Sequence, residues 1–142
     1  MLIFNKIKKT KNYLKVLRAK NHQIGFVPTM GALHNGHLSL IKNSLNENDN
    51  TIVSIFINPT QFEKEQDFIK YPYEIESDFK KLEKISKKII IFSPSYYEMY
   101  QDKIISDNFN FNNLDKFMEG KYRKGHFEGV ATIVNKLLNL IK

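Results

Sequence analysis

The chain has 142 residues, with 22 Lys and Arg against 15 Asp and Glu for a formal net charge of +7. That length supports one domain with a buried core, and 42% hydrophobic with 26% charged residues excludes long disordered stretches. The absence of cysteine excludes disulfides, thiolate metal sites and a cysteine nucleophile, and no run approaches the ~20 apolar residues of a membrane span.

The first six residues, MLIFNK, lack the long apolar core and small-residue cleavage site of a signal peptide, so a cytoplasmic protein is expected. Tyr13, Val16 and Leu17 then give a first helix a narrow apolar stripe, and Lys6, Lys8, Lys9, Lys11 and Lys15 read as its solvated face. The positive excess is almost all lysine, in a chain also heavy in asparagine and isoleucine. It therefore reads as a compositional bias, and no nucleic-acid or membrane partner is expected from it.

His22 precedes the next element and reads as a surface histidine. Residues 24–27 form the short apolar run of a buried strand, which Pro28 and Gly31 are expected to stop. Leu38, Ile41 and Leu45 follow at helical spacing. The linking stretch, Pro28-Thr29-Met30-Gly31-Ala32-Leu33-His34-Asn35-Gly36-His37, thus carries a strand through a glycine turn into a helix whose exposed first turn holds both His34 and His37. A helix start offers unpaired N–H groups and the positive end of the macrodipole, which suit a polyphosphate. Two imidazoles add donors there. Zinc would need further ligands, and neither a cysteine nor a third ligand lies nearby, so no metal site is expected.

A second apolar strand spans 51–57, and Asn58-Pro59-Thr60-Gln61 follows at its expected C-terminal edge, where open α/β sheets bind ligands. Taken alone, Asn58-Pro59 is equally compatible with a plain strand end. Ile75, Phe79, Leu82 and Ile85 mark a helix, and residues 89–92 a third β-branched strand. Strands without alternation, separated by helices, predict an α/β protein with a parallel sheet covered on both faces. Residues 102–113 read as a loop or an edge strand. A basic loop holding Arg123, Lys124 and His126 then leads to a final helix with Val130, Val134, Leu137, Leu138 and Ile141 on one face.

In this order, the His34/His37 block, Asn58 to Phe62, Tyr71-Pro72 and the stretch from Glu119 to Thr132 resemble the pantothenate synthetase (pantoate:β-alanine ligase) family from about Gly25 to Lys142. One departure is Lys124 where the family usually has proline, which leaves that turn less rigid.

The resemblance implies a Rossmann-like sheet of the HIGH-type nucleotidyltransferase fold. It also implies condensation of pantoate with β-alanine through a pantoyl adenylate, yielding AMP and diphosphate. By the same resemblance Met30, Gly31, Ala32, Leu33, His34, Asn35, Gly36 and His37 contact ATP, with His37 the proton donor. Gln61 binds pantoate and β-alanine, and Asn58 supports that pocket. Magnesium is implied with ATP, and a homodimer by the family. The family continues into a further strand, a second glutamine, a serine-arginine loop and a C-terminal domain. Residues 1–142 therefore read as an incomplete nucleotide-binding domain.

Two other readings stand beside this one. Another HxGH nucleotidyltransferase would share the first motif, although Asn58-Pro59-Thr60-Gln61 argues against it. A non-catalytic remnant would serve as a basic binding module, with salt-sensitive affinity for polyanions.

Overall fold

A computed structural model of the chain describes residues 1–101 and 103–142. Its elements begin with β1 (Leu2–Phe4), α1 (Ile7–Ala19), β2 (Ile24–Thr29), α2 (Asn35–Glu47) and β3 (Asn50–Ile55). A short 3-10 turn (Pro59–Gln61), α3 (Glu65–Ile69), α4 (Ile75–Ile85), β4 (Ile90–Phe92) and α5 (Tyr96–Tyr100) come next. A second 3-10 turn (Leu114–Lys116), α6 (Glu119–Tyr122) and α7 (His126–Ile141) complete the chain.

The four strands form one sheet in the order β1-β4-β3-β2. All three pairings are parallel, with Ile52 opposite Phe26 on one side and Ile90 on the other. The fold is thus the expected α/β arrangement of a parallel sheet flanked by helices. Along β3 and β4 successive side chains turn to opposite faces. Ile52, Ile90 and Phe92 join Leu14, Leu17, Ile133 and Leu137 of α1 and α7. Val53 and Ile91 join Ile41 and Leu82 of α2 and α4. Both faces are therefore covered, which is why these strands carry apolar side chains on both faces; each such side chain, once buried, contributes about 1.5–3 kcal/mol. No helix among the described residues is long and apolar enough to cross a membrane.

Several sequence expectations are corrected. Leu2–Phe4 is a strand, paired with β4 at the sheet edge. Pro28 does not stop β2 but lies within it, opposite Ser54. It is tolerated because β2 is the other edge strand, where a missing N–H on the open side breaks no ladder. On α1 the buried residues are Thr10, Leu14 and Leu17, whereas Val16 is exposed. On α7 the buried face is Gly129, Thr132, Ile133, Leu137, Leu140 and Ile141, and Leu138 is half exposed. Of the segment expected to be loop or edge strand, residues 103–113 contain no strand and Asp102 lies outside the described residues.

Candidate active site

Two turns at the C-terminal ends of neighbouring strands carry the polar groups. The first leaves β2 at Thr29, whose hydroxyl accepts from the Gly31 N–H at 3.2 Å. Gly31 and Ala32 both take left-handed backbone, with φ of +88° and +49°. A Cβ on Gly31 would lie 3.1 Å from Asp78 Oδ2 and 3.2 Å from Ile55, so glycine suits the position in both conformation and space. Ala32 holds the same hand at a cost of about 1 kcal/mol, which the surrounding contacts must offset.

His34 is the N-cap of α2 and His37 its third residue, and they form a reciprocal capping box. His34 Nδ1 accepts from the Gly36 N–H at 3.1 Å, and His37 Nδ1 accepts from the His34 N–H at 3.4 Å. Because both Nδ1 atoms accept, the neutral rings carry their protons on Nε2. The cap thus leaves two ring N–H donors at a helix start whose other first-turn amides lack helical partners. The rings lie 4.0 Å apart between centroids. Burial and the neighbouring His34 hold the His37 imidazole below its usual range, against a smaller upward pull from Asp78. His37 is therefore neutral near pH 7 in the unliganded chain.

A clamp from α4 holds this turn from behind. The Asp78 carboxylate is 1% exposed, and its Oδ1 accepts the Leu33 N–H at 2.8 Å. Lys81, one turn on, donates to the Leu33 carbonyl at 2.8 Å and lies 3.6 Å from Asp78 Oδ1. Both backbone groups of Leu33 are thereby satisfied by one helix. Sequence reasoning assigned no role to Asp78 or Lys81. The available signal was Asp78 itself, a carboxylate one position from Phe79 on the apolar side of a predicted helix.

The second turn follows β3. Asn58 is fully buried and Gln61 is 8% exposed. The orientation of the Asn58 amide is settled by its partners. Its Nδ2 donates to the Gly129 carbonyl at 2.9 Å, and its Oδ1 accepts from Tyr100 at 2.5 Å and from the Thr60 hydroxyl at 3.2 Å. Burial raises the Tyr100 hydroxyl's pKa, so it remains a donor at neutral pH. Asn58 Nδ2 also reaches Gln61 Oε1 at 3.3 Å. The Gln61 amide in turn meets the Met30 sulfur, which joins the two turns into one site. An amide has two donors and two acceptor lone pairs, so Gln61 retains capacity at both ends.

Of the late basic block, His126 contacts the site through the Gln61 carbonyl, at 2.9 Å from Nδ1. Arg123 instead pairs with exposed Glu119 at 3.4 Å on its own short helix. His22 is exposed, as expected, and meets Asn50 at 2.8 Å.

A family model described as pantoate-beta-alanine ligase matches residues 2–142. A pantothenate synthetase of Flavobacterium psychrophilum is 51% identical over 141 residues, covering 99% of this chain and 50% of the relative. One from Bacteroides fragilis is 46% identical over the whole chain and again half of the relative. Among solved structures, the pantoate-beta-alanine ligase of Francisella tularensis, complexed with beta-gamma ATP and beta-alanine, superposes with a TM-score of 0.91 at 42% identity. It is matched over 99% of this chain and 53% of that one. The Thermus thermophilus enzyme gives a TM-score of 0.88 at 35% identity, over 99% and 49%. The chain spans about half the length of the curated relatives it matches.

Proposed function

The chain belongs to the pantoate-beta-alanine ligase family, and on that premise we propose that residues 1–142 form the nucleotide-binding domain of an ATP-dependent ligase joining pantoate to β-alanine. The contact of Gln61 with Met30 carries the reading, because it sets a neutral amide against the glycine turn that leads to His34 and His37. In the first step the pantoate carboxylate attacks the α-phosphate of ATP and diphosphate departs. In the second the β-alanine amine attacks the acyl carbon of the adenylate and AMP departs. Neither step needs an enzyme nucleophile. The protein's part is alignment and stabilisation of moving charge.

Each residue's role follows from its surroundings. The turn from Met30 to Leu33 with Asn35 and Gly36 lets backbone approach the phosphates, and the Nε2–H groups of His34 and His37 donate to them. Phosphate charge raises the pKa of an adjacent imidazole, so bound ATP brings His37 back toward the range in which it can donate a proton to the departing diphosphate. Gln61 offers donor and acceptor to pantoate and then to β-alanine, and Asn58 holds Gln61 in place. Magnesium enters as part of the substrate, on the ATP phosphates. The resemblance extends this reading to a homodimer, to be checked by sedimentation, and to a cytoplasmic setting.

Calorimetric titration with magnesium-ATP and with pantoate tests the assignment. Loss of charge-assisted bonds worth about 1.5–3 kcal/mol predicts roughly 10- to 100-fold weaker ATP binding in His37→Ala. Gln61→Ala should weaken pantoate and leave ATP binding in place. A folded wild-type chain that binds neither ligand would overturn the proposal.

A further inference from the structure

The motif from Gly125 to Gly129 has no part in the chemistry above, yet it packs directly against Gln61. Gly125, at φ +77°, is the N-cap of α7 and lacks a side-chain cap bond. It turns the chain so that the first helical turn lies against the 3-10 turn at Pro59–Gln61. His126 Nδ1 sits 2.9 Å from the Gln61 carbonyl. A carbonyl can only accept, so His126 carries a proton on Nδ1, the opposite tautomer to that of His34 and His37. One turn further along, a Cβ on Gly129 would fall 2.5 Å from Gln61 Cα and closer still to the Thr60 carbonyl oxygen. The backbones touch because Gly129 has no side chain. The Gly129 carbonyl also accepts from Asn58, whose amide reaches the Gln61 side chain.

These contacts hold Gln61 from its main chain, while Asn58 and Met30 hold its amide. A three-residue turn has little rigidity of its own. If Gln61 were free to rotate, aligning its amide on a ligand would cost side-chain entropy at each binding event.

We propose that His126 and Gly129 are positioning residues, which fix the Gln61 turn against α7 so that its amide is preorganised for the hydroxy-acid substrate. The proposal rests on the reading that Gln61 meets pantoate. It predicts a split between ligands, because the His34/His37 turn is held by α2 and α4 and does not depend on α7 for its bonds.

The test compares wild type, His126→Ala, His126→Asn and Gln61→Ala by calorimetry, with pantoate and with magnesium-ATP. Asparagine is the conservative variant, since its Nδ2 stands near the position of the histidine Nδ1. Losing the part-buried bond at the Gln61 carbonyl predicts roughly tenfold weaker pantoate binding in His126→Ala. ATP binding should stay within about twofold, and His126→Asn should recover most of the pantoate affinity. Pantoate binding unchanged in His126→Ala, an equal loss in both His126 variants, or parallel loss of both ligands would overturn the positioning role. Wild-type pantoate affinity in Gln61→Ala would instead sink the premise. The imidazole ¹⁵N shifts of His126 in the unliganded chain test the geometry without any ligand: a protonated Nδ1 is expected, and a neutral ring with bare Nδ1 would overturn the inference whatever pantoate does.

Discussion

The two turns that make the site are built in different ways. The turn after β2 is held largely by its own neighbours. Thr29 bonds Gly31, His34 bonds Gly36, and His37 bonds the His34 amide, and from afar Asp78 and Lys81 hold Leu33 while Gln61 meets Met30. Its histidine side of the loop stays open to solvent, with His34 exposed. The turn after β3 draws much of its support from distant chain. Tyr100, His126 and Gly129 lie 40 to 71 residues from their partners at Asn58, Thr60 and Gln61, and Asn58 has no exposure at all. A phosphate site can be a local motif, because a helix start presents its amides wherever it occurs. A site for a small hydroxy-acid, as proposed for the second turn, needs a fixed amide, and a side chain is fixed by packing from several directions.

That contrast can be broken most forcefully at Gly129. Gly129→Ala drives a methyl into the Thr60 and Gln61 backbone, neither of which is the flexible end of a side chain. A loss of about 3 kcal/mol is expected in urea unfolding, together with loss of pantoate binding.

The next largest effect falls on the other turn. Asp78→Ala removes a buried, charge-assisted acceptor from Leu33 and is expected to cost about 2 kcal/mol and weaken ATP binding. Asp78→Asn sharpens the comparison, because its oxygen can still accept from Leu33 while the charge is gone. Since Asp78 pulls the His37 pKa upward, the NMR titration of His37 in Asp78→Asn should move to lower pH than in wild type.

His34→Ala tests how local the first turn is. Losing an N-cap costs about 1 kcal/mol, and ATP affinity should fall while the Gln61 turn and its pantoate affinity remain.

The smallest effect lies outside both turns. Glu98 accepts from the Ile7 N–H at 2.8 Å and from Lys6 at 3.0 Å, which together hold its carboxyl below the usual 4.5. A carboxyl depressed in the folded state stabilises above its unfolded pKa, and that contribution fades as pH falls through the folded value. Glu98→Gln should therefore flatten the acid limb of the stability profile below about pH 4.5 and change little at pH 7. The His37 contribution has its own window. With a folded pKa below 6.5, the unfolded chain takes up the proton first, so stability from this group is present above 6.5 and declines as pH drops below it.

Much of this was legible from residue patterns. The runs at 24–27, 51–57 and 89–92 mark three of the four strands because each places apolar side chains on both faces, and a strand covered on both faces shows no polar alternation. The spacing of His34 and His37 places both on one helical turn by backbone geometry alone. The placement of Asn58 and Gln61 beyond the second strand likewise followed from chain order.

Elsewhere periodicity misled. Val16 and Leu138 are apolar and at helical spacing, yet both face outward, since a period defines a face only to within a residue and the neighbouring element selects which side is buried. Pro28 looked like a stop because pairing partners are invisible along a chain, and only the strand order makes β2 an edge. Asp78 showed only a carboxylate on the apolar side of its helix and His126 showed no local sign of its work, for each acts on a backbone group far along the chain, 45 and 65 residues away. Local order and hydrophobic period are written in neighbouring residues, so the α/β plan and the histidine turn could be read from the chain itself. Which amide is held, by which distant carbonyl and against which glycine, depended on how helices pack on a twisted sheet, and no spacing of residues encodes that contact by itself.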